Sequence, residues 1–252
     1  MAKALGFVLL FAATNASLLL LVPFSLGRLT LALVCYAVGT IAILLTLFHP
    51  RARWLAAGKC EVDADGARPV ALTFDDGPAA ETTPRVLAIL REKNVQATFF
   101  LVGRKVERLP DLSRQIGLGG HVIGNHTYSH PPLFCFLTPR RLREEIARAQ
   151  DVIGGVIGRR PAYFRSPVGL RHPLLASALE RAGLALVLWS LRSYDTRPHT
   201  PESLRRRILA RVRSGTIVLL HDRPGPGSEA MIAALPGIID RLRADGYTFV
   251  TV

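Results

Sequence analysis

Cysteine is scarce: Cys35, Cys60 and Cys135 are the only three in 252 residues, and none forms a C-x-x-C pair. An odd number so widely spaced excludes a disulfide framework and agrees with a reducing compartment. Acidic residues are also few, 19 against 32 lysines and arginines, which leaves a net charge of +13. So basic a chain suits nucleic acid, anionic lipid or a phosphorylated substrate. Aromatic residues make up only 7% and no basic recognition motif occurs, so nucleic acid is set aside as a partner. No internal repeat or low-complexity tract is present.

Charge is most conspicuously missing near the N terminus. Ala4 to Gly27 contains no charged residue, and neither does Leu29 to Pro50. Each run exceeds the roughly 20 residues that cross a hydrocarbon core. Only Gly27-Arg28 separates them, so the expected structure is a transmembrane helical hairpin. The runs are too long for a cleavable signal peptide, and no small-x-small cleavage site follows. Lys3 precedes the hairpin and Arg51, Arg53 and Lys59 follow it, so the positive-inside rule puts both ends in the cytoplasm. The expected domains are a membrane hairpin over 1–57, a linker over 58–68 and a catalytic domain over 69–252. The expected location is the bacterial inner membrane with the catalytic domain on the cytoplasmic face, the periplasmic face being the alternative.

Beyond the linker, short apolar runs alternate with helical patterns. Strands are expected at Val70–Phe74, Ala97–Val102, His121–Asn125, Ala162–Arg165, Ala185–Trp189, Thr216–Leu220 and Tyr247–Val250. Thr83-Pro84 and Thr138-Pro139 each read as an N-cap followed by proline in the first turn. Leu142, Ile146, Ala149 and Ile153 recur at helical spacing, with Arg140, Arg141 and Arg143 outward. Such alternation implies a parallel sheet or barrel, whose functional groups collect at the C-terminal strand ends.

Polar motifs follow those ends. The first strand runs into Asp75-Asp76-Gly77-Pro78, two adjacent carboxylates whose like charges push one pKa upward unless a cation or metal separates them, the plain alternative being a solvated turn. The third runs into His126-Thr127-Tyr128-Ser129-His130, two imidazoles one helical turn apart and able to share a metal. With Asp76 they would complete a two-histidine, one-carboxylate set. Arg165-Ser166-Pro167-Val168-Gly169 follows the fourth strand, its arginine placed to pair with a carboxylate. Asp195 follows the fifth, and His221-Asp222 ends the sixth.

In this order the motifs T-F-D-D-G, H-T-x-x-H, R-x-P-x-G, W-x-x-x-x-x-D and L-L-H resemble the polysaccharide deacetylase (NodB-homology) family of carbohydrate esterases, from Pro69 to Val252. The resemblance implies a distorted seven-stranded (β/α) barrel and metal-dependent removal of N-acyl groups from amino sugars. It further implies Asp75 as general base, Asp76, His126 and His130 as ligands of a divalent metal, and Arg165 as the residue that orients Asp75. His221, tuned by Asp195, becomes the general acid, and the Val168 backbone N–H faces the developing oxyanion. Zinc is the default metal, with cobalt, manganese and nickel also compatible.

The chain departs from the family pattern at Val168, where an aromatic is usual, at Thr196, where a tryptophan is usual, and at Ser190, where an aspartate is frequent. These changes remove sugar-stacking surface. Two further features bear on the substrate: the apolar run Pro131–Leu137 beside the histidines, and an apolar stripe of Leu204, Ile208, Leu209 and Val212 flanked by Arg205, Arg206, Arg207, Arg211 and Arg213. Together with the hairpin they point to a polyprenyl-phosphate-linked N-acetylhexosamine of lipid A or envelope glycan, met at an anionic membrane. The alternative is an outward-facing peptidoglycan or exopolysaccharide N-acetylglucosamine deacetylase. A non-catalytic sugar-binding relative is the remote third reading.

Overall fold

The structure is a computed structural model that describes residues 26–48, 57–64 and 68–252. Helix α1 (Leu26–Phe48) comes first. The first half of the expected hairpin lies outside the described residues. Among the described residues no helix is long and apolar enough to cross a membrane, so the hairpin is unsupported.

The catalytic region is an open α/β barrel of parallel strands. Its elements run β1 (Pro69–Asp75), α2 (Thr83–Glu92), β2 (Thr98–Leu101), α3 (Gly103–Arg108), α4 (Pro110–Leu118), β3 (Val122–Asn125), α5 (Pro139–Ile157), β4 (Tyr163–Phe164), α6 (Leu175–Ala182), β5 (Ala185–Leu186), β6 (Leu191–Arg192), α7 (Pro201–Leu209), β7 (Thr216–His221), α8 (Ser228–Ala244) and β8 (Thr248–Phe249). The spatial order is β5-β4-β3-β2-β1-β7-β6, and β8 pairs with the start of β1. All seven expected strands are present. The additional β6 pairs one apolar with one charged residue, Leu191 and Arg192, and lies in no apolar run that would mark it in the sequence.

β5 and β6 are consecutive in the chain yet are not paired, so the barrel opens between them. Part of the expected linker enters this gap. Lys59 N–H donates to the Leu186 carbonyl, and Leu188 N–H donates back to the Lys59 carbonyl. Val62 N–H then reaches the Gly215 carbonyl beside β7.

β1 is buried along its whole length, as a central parallel strand must be. Val70, Leu72 and Phe74 pack against α2 and α8, while Ala71 faces Phe100, Trp189, Ile217 and Leu219 inside the barrel. β2 and β7 flank β1, and the register sets Asp75 opposite His221. In α5, Leu142, Ile146, Ala149 and Ile153 are buried as their spacing predicts, and the Thr138 hydroxyl caps the helix by accepting from Arg141 N–H. The expectation at Thr83 fails. The N-cap is Thr82, and Thr83 Oγ1 instead accepts from Ala79 N–H and donates to Asp222.

Candidate active site

β1 ends in Asp75, then turns through Asp76 in the left-handed region (φ 73°) and a cis Gly77-Pro78 bond. That reversal carries both carboxylates to the same end of the barrel despite the strand's alternation. Gly77 is required here, because a Cβ would meet Asp222 Oδ2 at 2.6 Å.

Asp75 Oδ1 accepts from Arg165 Nη1 at 2.8 Å. Arg165 is completely buried, and each guanidinium nitrogen has an acceptor. Nη1 also donates to Thr73 Oγ1, Nη2 to the Leu188 carbonyl at 2.7 Å and Nε to the Val187 carbonyl at 3.3 Å. Its plane lies 4.1 Å from the centre of the Phe100 ring. Burial works against its charge, and the Asp75 carboxylate offsets part of that cost.

Asp76 Oδ1 lies 3.4 Å from His126 Nε2 and 3.1 Å from His130 Nε2. The histidines do not occupy a helical turn, as their spacing suggested. They sit on a loop after β3 in which Thr127 (φ 65°) and His130 (φ 55°) are left-handed. Pro131 disfavours helical backbone at His130, and side chains hold the alternative conformation. Asn125 Oδ1 accepts from Thr127 N–H, Thr127 Oγ1 from His130 N–H, and the buried Glu145 from the Ser129 backbone and hydroxyl. The two imidazoles still converge, with ring centres 5.0 Å apart.

These three side chains fit a divalent cation. His126 Nδ1 is 2.7 Å from the Arg165 carbonyl, which can only accept, so Nδ1 carries the proton and Nε2 presents a lone pair towards Asp76. Asp76 Oδ1 is buried and has no hydrogen-bond partner among the described residues. Burial alone would raise the Asp76 carboxyl; positive charge at this point, from protons on the two imidazole Nε2 atoms or from a cation bound in their place, outweighs it and holds the group well below the usual carboxylate range. An ionised oxygen and two imidazole nitrogens within 4.8 Å of one another form a two-histidine, one-carboxylate set.

On the neighbouring strand, His221 Nδ1 is 2.8 Å from Asp195 Oδ1, and His221 N–H donates to Asp195 Oδ2 at 2.7 Å. Ser193 Oγ donates to the same carboxylate. Burial disfavours the charged imidazole. The Asp195 hydrogen bond and charge, with Asp75 and Asp76 further off, outweigh that and raise His221 above its ordinary value. Val168 has φ 58°, an outlier for a β-branched residue, in the turn Pro167–Gly169 beyond β4. Gly169 permits the turn, since a Cβ there would lie 2.4 Å from Trp189.

All eight residues singled out in the sequence lie at or just beyond C-terminal strand ends. Their supports were not legible. Lys105 Nζ donates to the Asp76 carbonyl, and Arg223 Nε lies 2.9 Å from Asp76 Oδ2. Asp222 accepts from the Thr82 and Thr83 hydroxyls, and burial raises its carboxyl to about 6. Their partners are tens of residues distant in sequence, and no local pattern marks such pairs.

A family model described as polysaccharide deacetylase matches residues 63–187. A chitooligosaccharide deacetylase of Azorhizobium caulinodans is 37% identical over 187 residues, covering 70% of this chain and 89% of the relative. The chain belongs to the polysaccharide deacetylase family. That family comprises metal-dependent carbohydrate N-deacetylases. A peptidoglycan-N-acetylglucosamine deacetylase of Bacillus cereus is 36% identical over 184 residues, spanning 73% of this chain and 66% of the relative. The fold matches a crystal structure of a peptidoglycan N-acetylglucosamine deacetylase bound to an N-hydroxybenzamide, with TM-score 0.72 and 34% identity over 77% of this chain and 89% of that one.

These relatives overturn the expected location at the inner membrane with a cytoplasmic catalytic face. Peptidoglycan and chitooligosaccharides are the substrates they are named for, and among the described residues no helix is long and apolar enough to span a bilayer.

Proposed function

We propose that the chain hydrolyses the N-acetyl group of N-acetylglucosamine units in a polysaccharide of the peptidoglycan or chitooligosaccharide type. One observation carries this reading. The Asp75–Arg165 pair, the Asp76–His126–His130 set and the His221–Asp195 pair share one end of the barrel. The names of the relatives favour the polysaccharide over the lipid-phosphate-linked sugar expected from the hairpin.

Asp76, His126 and His130 would hold a divalent cation, with zinc the best match to this donor set, and the ion would supply Lewis acidity towards the acyl carbonyl and the attacking water. Asp75, held in place by its hydrogen bond from Arg165, takes the proton of the attacking water. The Val168 N–H, turned by the left-handed backbone, donates to the oxygen on which negative charge develops. His221 is held by Asp195 through Nδ1, which leaves Nε2 to protonate the departing amine. Water adds to the acyl carbon, the C–N bond breaks, and acetate and a free amino sugar leave. Exposed Leu133, Phe136 and Val168 offer apolar surface for sugar faces where the usual aromatic is missing.

The test is turnover by the purified full chain on an N-acetylglucosamine oligomer and on undecaprenyl-phosphate N-acetylhexosamine, read as acetyl loss by mass spectrometry. Asp75→Asn and a chelator are the controls. Acetyl loss from the oligomer, abolished by both controls, is expected. Loss from the lipid-linked sugar alone would reverse the substrate assignment.

A further inference from the structure

Tyr194, two residues beyond the end of β6, has φ 64°, a conformation that bulky residues rarely adopt. The turn is closed by Arg197 N–H donating to the Tyr194 carbonyl at 3.0 Å. Three guanidinium groups gather on the Tyr194 ring: Arg207 from α7 at 4.4 Å from its centre, and Arg192 from β6 and Arg197 from the loop at 5.2 Å each. Among the described residues no carboxylate lies within ion-pair distance of any of the three. Asp195, the nearest in sequence, is turned inward to His221. Arg207 Nε is shielded from solvent and has no acceptor among the described residues.

A tyrosine face attracts each cation only weakly and neutralises none. Three like charges converging on one ring, from three separate elements, are therefore an incomplete arrangement. Guanidinium forks match carboxylate and phosphate oxygens. The cluster is one residue from Asp195 and follows the strand paired with β7, so it borders the catalytic end of the barrel.

We infer that Arg192, Arg197 and Arg207, mounted on Tyr194, form a subsite for an anionic substituent of the glycan, the carboxylate of a peptide stem or the phosphodiester of an attached polymer. This rests on the polysaccharide deacetylase reading above. Its contribution is to substrate binding, not to chemistry, and is screened by salt.

The test compares the metal-loaded full chain with the Arg192→Gln/Arg197→Gln/Arg207→Gln variant on three oligomers of equal length. One is neutral N-acetylglucosamine, one carries peptide stems and one carries phosphodiesters. The expected result is at least a tenfold rise in KM for one charged oligomer at low ionic strength, with kcat and the neutral oligomer unchanged. Which charged oligomer responds identifies the source of the anion. Equal effects on neutral and charged oligomers would overturn the inference, as would none on either charged one. Calorimetric binding of the charged oligomers to chelator-treated protein gives a readout without turnover. Weakened binding in the variant would uphold the subsite even if the wild type turned over nothing, an outcome that would refute the activity alone. Arg192→Gln by itself, at an exposed position, serves if the triple variant does not fold.

Discussion

A buried guanidinium is costly unless its donors are met, and Arg165 spends all of its nitrogens on β1 and on the chain beyond β5. Removing it strands Asp75, so Arg165→Leu is expected to lower both melting temperature and kcat. Asp75→Asn keeps the shape and loses the base. It should cut kcat by about 10²–10⁴-fold, the usual contribution of a general base, while zinc content measured by mass spectrometry stays unchanged. Burial lowers His221, but Asp195 outweighs it and raises the group above its ordinary value. As the acid it must be protonated, so kcat/KM falls as pH rises through its raised pKa. Asp195→Asn takes away the charge that raises it, so the alkaline limb of the pH profile should move to lower pH. A limb that stays in place would remove His221 from the acid role. Asp75, Asp76, His126, His130, Arg165 and His221 were legible because each sits in a short motif at a strand end. Thr73, Lys105, Asn125, Glu145 and Arg223 were not, since they act on partners distant in the chain.

At the scale of elements, caps and strand ends decide what the sequence pattern leaves open. Thr138 caps α5, and Thr138→Ala should cost about 1 kcal/mol in urea unfolding. Asp222 ties the end of β7 to the start of α2 through two threonine hydroxyls. Its folded value of about 6 lies above the ordinary carboxyl value of 3.8. Its contribution to stability is therefore complete below the unfolded value and is lost as pH rises through about 6. The difference corresponds to about 3 kcal/mol at most. Asp222→Asn should abolish that part of the loss of stability between pH 4 and pH 8, as followed by denaturant unfolding. β6 and the histidine loop escaped the sequence for different reasons. β6 lies in no apolar run, unlike the equally short β4, β5 and β8, and the four-residue histidine spacing fits a helix and this loop equally well.

For the molecule as a whole, the metal set joins β1 to the loop after β3, so binding of a cation to the folded state alone should stabilise it. Zinc at a hundredfold excess over its Kd adds about 2.7 kcal/mol, visible as a rise in melting temperature that a chelator reverses. Asp76→Ala should abolish that rise, and an equal shift in the variant would show that the ion binds elsewhere. The sequence by itself determined the strand–helix alternation, the family and the residues at the strand ends, because burial period and short motifs are local properties of a chain. It did not determine the substrate, since apolar stretches and basic residues read alike for a membrane and for a charged glycan. Only the tertiary structure brought β1 beside β7, so that Asp75 meets His221 in register. It alone turned Asp195 inward, leaving Arg192, Arg197 and Arg207 around one ring with no counter-charge among the described residues. Such convergence depends on which strands are neighbours, and strand neighbours are fixed by long-range packing that no local pattern encodes.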